Sequence, residues 1–128
     1  MKHVTIALIV TQPGPLRNSL QTLLTTFPDI EIVAEARTPA TLMRLGDTLQ
    51  PDLVLIEADE KNATAVALQQ IKREWLHSKC VVLVDTQRQM ATAVAAGADL
   101  TLFKGCRATE LIDKIEALLV RDNVNFSE

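Results

Sequence analysis

The chain has 128 residues, near the common size of one domain and long enough for one sizeable core. A hydrophobic fraction of 48% argues against disorder, and with 3% aromatics and no Tyr the core has to be built from Leu, Val, Ile and Ala. The net charge of −3 is small and mixed in sign, which argues against a nucleic-acid contact by this segment.

Other bulk features point the same way. No stretch approaches the ~20 apolar residues of a membrane span. The apolar run from Val4 to Val10 is too short for a secretory signal, and Thr-Gln-Pro follows it in place of a small-residue cleavage site. Cys80 and Cys106 fit neither a metal spacing nor a disulfide framework. The expectation is a reduced, cytoplasmic protein.

In chain order, His3 to Val10 is a short β-branched run ended by Thr11-Gln-Pro-Gly-Pro15, a buried strand followed by a turn. Pro15 suits the first turn of a helix, where its missing N–H would be unpaired in any residue. Leu16, Leu20, Leu23, Leu24 and Phe27 then recur at helical spacing, and Pro28-Asp29 breaks the stripe. Ile30 to Ala34 is the next strand. Thr38 is placed to cap a second helix carrying Leu42, Leu45 and Leu49.

Leu53 to Ile56 is a continuously apolar strand, as expected where helices cover both faces. A helix follows over Ala63 to Trp75, with Ala67, Ile71 and Trp75 on one side, and Cys80 to Val84 is a second continuous strand. Gln87 to Ala96 is an Ala-rich helix stopped by Gly97. Leu100 to Phe103 is the fifth strand, and Thr109 to Val120 the fifth helix. Arg121 to Glu128 is polar and reads as a tail or the start of a linker, which leaves residues 1–120 as the domain.

This alternation predicts an α/β fold: a (βα)5 doubly wound, five-stranded parallel sheet covered on both sides. In such sheets functional groups gather at the carboxyl ends of the strands. That rule selects Thr11 and Gln12, Glu57 to Asp59, Asp85 and Thr86, and Lys104.

At these strand ends the sequence resembles the receiver domains of two-component response regulators, which have a flavodoxin-like fold. The resemblance covers nearly the whole chain. It is carried by Phe27-Pro-Asp-Ile-Glu-Ile-Val-Ala-Glu-Ala36, by Pro51-Asp-Leu-Val-Leu-Ile-Glu57, and by Ala96-Gly-Ala-Asp-Leu-Thr-Leu-Phe-Lys104. The first piece is most like regulators that carry a helix-turn-helix output domain. Receivers hold Mg2+ with an acidic pair after the first strand, and accept phosphate on an Asp ending the third. They pair the phosphoryl oxygens with a Ser or Thr and a Lys. Position by position, the resemblance puts the acidic pair on Thr11 and Gln12, the acceptor on Glu57, and the hydroxyl on Asp85 or, with a one-residue slip, Thr86. The aromatic switch position falls on Thr101, and Lys104 alone keeps its family identity.

The departures have chemical consequences. Thr11 and Gln12 offer only neutral oxygens where Mg2+ demands carboxylates. The extra methylene of Glu57 carries its oxygen on the order of 1.5 Å further than an Asp would, a poor start for in-line transfer. The expectation is therefore a pseudo-receiver with no catalytic residue, metal or cofactor. Glu57 is expected to reach Lys104 as a standing ion pair, with Asp85 competing for the same ammonium. The partner is a protein or a second copy of the chain, and DNA is engaged only through an output domain absent from this chain. The smooth Ala91, Ala93, Val94 and Ala95 helix is either a contact face or packed core. Two alternatives stay open: a working phospho-receiver that uses Glu57, and a flavodoxin-like small-molecule sensor. Against the second, Thr11 to Pro15 is no Gly-rich phosphate loop.

The remaining chemistry-bearing residues read more plainly. Asp59 is a turn residue or helix cap sooner than a cation ligand. Cys106 is a half-buried filler sooner than a redox sensor, and Cys80 is core. His3 and His77 are surface residues, and Trp75 packs.

Overall fold

In a computed structural model, residues 5–11, 14–27, 29–38, 41, 44, 50–58 and 63–127 are described, with backbone only for Thr5, Ile6, Leu8, Val33 and 120–127. The strands are β1 (Thr5–Val10), β2 (Ile30–Ala36), β3 (Leu53–Glu57), β4 (Lys79–Val84) and β5 (Leu100–Phe103). The described helices are α1 (Pro15–Leu24), α2 (Ala63–Glu74), α3 (Gln87–Ala95) and α4 (Ala108–Ser127). All five strands are parallel, in the order β2-β1-β3-β4-β5.

The continuous apolar runs of β3 and β4 are explained by two cores, one on each face of the sheet. Val54, Ile56, Val82 and Val84 pack under Leu68, Ile71 and Trp75 of the α2 side and Ala93 of α3. The alternate residues Leu53, Leu55, Val81 and Leu83 pack under Leu20 and Leu24 of α1 and Leu111 and Ile115 of α4. Each fully buried Leu, Ile or Val stabilises the fold by roughly 1.5–3 kcal/mol relative to exposure. Trp75 is buried as packing, Cys80 is core, and His77 is exposed, all as expected.

The boundaries follow local chemistry. Pro15 occupies the first turn of α1, and Thr86 caps α3 by accepting the Gln89 N–H through its hydroxyl at 3.1 Å. Gly97 ends the turn after α3 with φ +106°, a backbone conformation open to glycine. The expected second helix lies outside the described residues apart from Thr38, Thr41 and Arg44. Among these, the Thr38 hydroxyl accepts the Thr41 N–H at 3.3 Å, the bond a capping Thr makes.

One expectation changes at the carboxyl end. Helix α4 continues to Ser127, through the stretch read as a polar tail. The sequence from Arg121 to Ser127 contains neither Gly nor Pro, so nothing in it breaks the helix. His3, Gln12 and Asp59 lie outside the described residues.

Candidate functional site

Lys104 follows β5, Asp85 follows β4, and Glu57 ends β3. Because β4 lies between the other two, the sheet order brings all three to one edge. The Lys104 ammonium sits 2.8 Å from an Asp85 carboxylate oxygen and 3.2 Å from a Glu57 carboxylate oxygen. It also donates to the Ala58 carbonyl at 3.3 Å. The standing Glu57–Lys104 ion pair expected from the sequence is thus present, and Asp85 shares the ammonium.

Partial burial of the ammonium pulls the Lys104 pKa down. Hydrogen bonds and charges from Asp85 and Glu57 outweigh that burial, and the net shift is upward from the usual lysine value. The ammonium is held charged between its two carboxylates. Asp85 is the more exposed acid, 57% against 25% for Glu57, so the Glu57 pair is the better shielded from solvent.

The segment before α3 fixes the Asp85 side of the site. The Asp85 N–H donates to the Gln89 side-chain oxygen at 2.6 Å, while the Gln89 N–H is bound by Thr86. This is a reciprocal variant of the capping box, written in the sequence as Thr86-x-x-Gln89. It turns the Thr86 hydroxyl into the helix start and leaves the Asp85 carboxylate facing Lys104. The two positions that the sequence left as alternatives are thereby separated in space.

At the end of β1, Thr11 is buried, and Arg17 from the first turns of α1 reaches it. Arg17 Nε donates to the Thr11 hydroxyl at 3.2 Å, and Nη2 donates to the Thr11 carbonyl and, at 3.2 Å, to the Ala36 carbonyl. The Glu35 carboxylate lies 3.8 Å from the same guanidinium and accepts from the Gln21 amide. The guanidinium therefore ties α1 to the ends of β1 and β2. Sequence reading passed over Arg17; its signal was a cation six residues beyond Thr11, just inside a Pro-started helix.

No protein-family model matches the chain. It is 30% identical over 113 residues to the transcriptional regulatory protein LiaR of Bacillus subtilis, covering 86% of this chain and 54% of that one. It is 29% identical over 111 residues to the nitrate/nitrite response regulator protein NarL of Escherichia coli, covering 84% and 51%. The chain thus spans about half the length of these curated relatives. Among solved structures, the response regulatory domain of mrkE from Klebsiella pneumoniae superposes with TM-score 0.82 at 14% identity, covering 92% of this chain and 98% of that one. The signal receiver domain of NarL from Mycobacterium tuberculosis gives 0.79 at 18%, covering 95% and 98%.

The chain is a response-regulator receiver domain.

In this receiver the structure unites some of the selected positions and separates others. Glu57, Asp85 and Lys104 meet. Thr11 joins Arg17 on the other side of β3. Thr101, which the resemblance alone puts at the switch position, is half-buried on β5 and lines a groove with Met90 and Phe103. On α3, Ala93 is core, whereas Ala91 and Ala95 are exposed and Val94 is 58% exposed, so the helix is divided between packing and surface. Cys106 packs against the α1–α4 core. Burial, with the nearby Glu110, pushes its thiol pKa up, which opposes redox reactivity. Among the described residues no helix is long and apolar enough to cross a membrane.

Proposed function

We propose that this receiver signals without phosphorylation, as a pseudo-receiver that acts by binding a protein partner. The observation that carries the reading is Lys104, whose ammonium is occupied by Glu57 and Asp85. In a phosphorylated receiver that ammonium would meet the phosphoryl group. Here an internal carboxylate takes the place of the incoming anion, and the contact needs no chemistry to form.

The donor set supports the same reading. Thr11 offers a neutral hydroxyl that is already engaged by a guanidinium. Mg2+ requires hard, largely anionic oxygen ligands and keeps an octahedral shell. A fixed cation beside a neutral oxygen does not fit that requirement. Because LiaR is named a transcriptional regulatory protein and is about twice as long as the aligned region, the proposal places this receiver as the regulatory part of a transcription regulator. Contact with DNA would belong to a separate output domain.

Incubation of the purified chain with acetyl phosphate and Mg2+, followed by intact mass measurement, tests the reading. The unmodified mass is expected. A phosphorylated species that disappears in Glu57→Gln would establish a working receiver in its place.

A further inference from the structure

Asp85 stands between Val84, which ends β4, and Thr86, which caps α3. Its main chain and its side chain are held by different elements. The Asp85 N–H donates to the Gln89 side-chain oxygen of α3 at 2.6 Å, while the carboxylate accepts from the Lys104 ammonium at 2.8 Å. Lys104 is itself anchored, because its N–H donates to the Val84 carbonyl at 2.9 Å. A closed ring results, from the end of β4 through Asp85 to the Lys104 ammonium and back through the Lys104 main chain to Val84.

A second ring shares Asp85. The Thr86 hydroxyl accepts the Gln89 N–H at 3.1 Å, and the Thr86 carbonyl accepts the Met90 N–H at 3.1 Å, so both Thr86 oxygens serve the first turn of α3. Gln89 closes that turn twice, with its N–H on Thr86 and its side-chain oxygen on Asp85. On the other ring the ammonium is fully occupied. A lysine has three N–H donors, and Asp85, Glu57 and the Ala58 carbonyl take them. The start of α3 cannot shift against β5 unless bonds in both rings break together.

We infer that the two rings form a lock that holds α3 in one arrangement against β5, with Gln89 as the positioning residue that joins them. The lock fixes the outer side of α3, where Ala91 and Ala95 are exposed and Val94 is 58% exposed. A partner then meets a surface of constant shape, and the domain has no second state for a signal to populate. Exposure ranks the two rings. The Asp85 carboxylate is 57% exposed, so its ion pair is weakened by salt, whereas the bond to the Gln89 amide is neutral and is not. The inference rests on the reading of the domain as an unphosphorylated interaction module for what the fixed face is for. A phosphorylated species would sink that reading alone, and motion at Asp85 would sink the lock alone.

Amide 15N relaxation dispersion and hydrogen exchange of the full chain test the lock, with Gln89→Ala and Gln89→Glu beside the unaltered protein. The unaltered chain is expected to give flat dispersion profiles from Asp85 to Met90 and at Lys104. Gln89→Ala keeps the Thr86 cap and removes the acceptor of the Asp85 N–H. It is expected to speed exchange of that amide about fivefold, the scale of one neutral hydrogen bond, and to bring dispersion to the same segment. Gln89→Glu retains an acceptor, as in the usual capping box, and is expected to restore both readings. A residue that served only helix propensity would leave the Asp85 amide unmoved. Millisecond exchange between Asp85 and Met90 in the unaltered chain would overturn the inference, whether or not the variants fold. So would an Asp85 amide indifferent to Gln89→Ala.

Discussion

The Lys104 ammonium lies 3.2 Å from the Glu57 carboxylate, and it reaches that carboxylate past β4, the strand between them. The pair links the ends of β3 and β5, while Asp85 adds a second carboxylate from the end of β4 itself. Three neighbouring strands are thus joined at their carboxyl ends through one cation.

Charge removal at Lys104 should be visible in both stability and spectra. The folded pKa of this lysine is raised, so its contribution to stability is fully present below the ordinary lysine pKa near 10.5. It is lost as pH rises through the still higher folded value. Lys104→Met is expected to lower stability near neutral pH by about 1 kcal/mol, the scale for a partly exposed pair. The variant should also lack that part of the alkaline destabilisation. Denaturant unfolding at a series of pH values reads both effects, and amide chemical shifts at the ends of β3 and β5 should move. Unchanged shifts there would remove the coupling.

Thr64, in the first turn of α2, has the one buried side-chain oxygen without a hydrogen-bond partner among the described residues. Thr64→Val keeps the shape and removes the unsatisfied hydroxyl. It is expected to raise stability by about 1 kcal/mol, within the range for leaving one polar group unpaired. Thermal unfolding measures this; a lower midpoint would mean that the hydroxyl has a partner in solution.

Gly97 combines φ +106° with a tight site, because a Cβ there would stand 3.2 Å from Lys72 Cγ. Lys72 is not free to retreat without cost: its ammonium is paired with Asp99, whose carboxylate also accepts the Cys80 N–H at 2.8 Å. Gly97→Ala is expected to cost about 1–3 kcal/mol, chiefly from the backbone conformation. A denaturation midpoint equal to that of the unaltered protein would contradict this account.

The fold was largely legible in the residues, and the reasons are local. Continuous apolar runs such as Leu53 to Ile56 mark strands buried on both faces, and Pro15, Thr86 and Gly97 mark helix ends. The rule that function gathers at the carboxyl ends of strands selected Glu57, Asp85 and Lys104 without coordinates. The end of the last helix was less legible: polarity alone suggested that it stops at Val120, although nothing between Arg121 and Ser127 breaks a helix and it continues to Ser127.

The amino-acid sequence by itself determined the alternation of elements, the aliphatic core and the absence of carboxylates at Thr11 and Gln12, since each depends on residue type and spacing. Only the tertiary structure decided that Asp85 faces Lys104 while Thr86 caps α3, and that Arg17 lies on Thr11. These depend on strand order and on competition between neighbouring hydrogen bonds. Such quantities arise when segments distant in the chain meet, and no local pattern carries them.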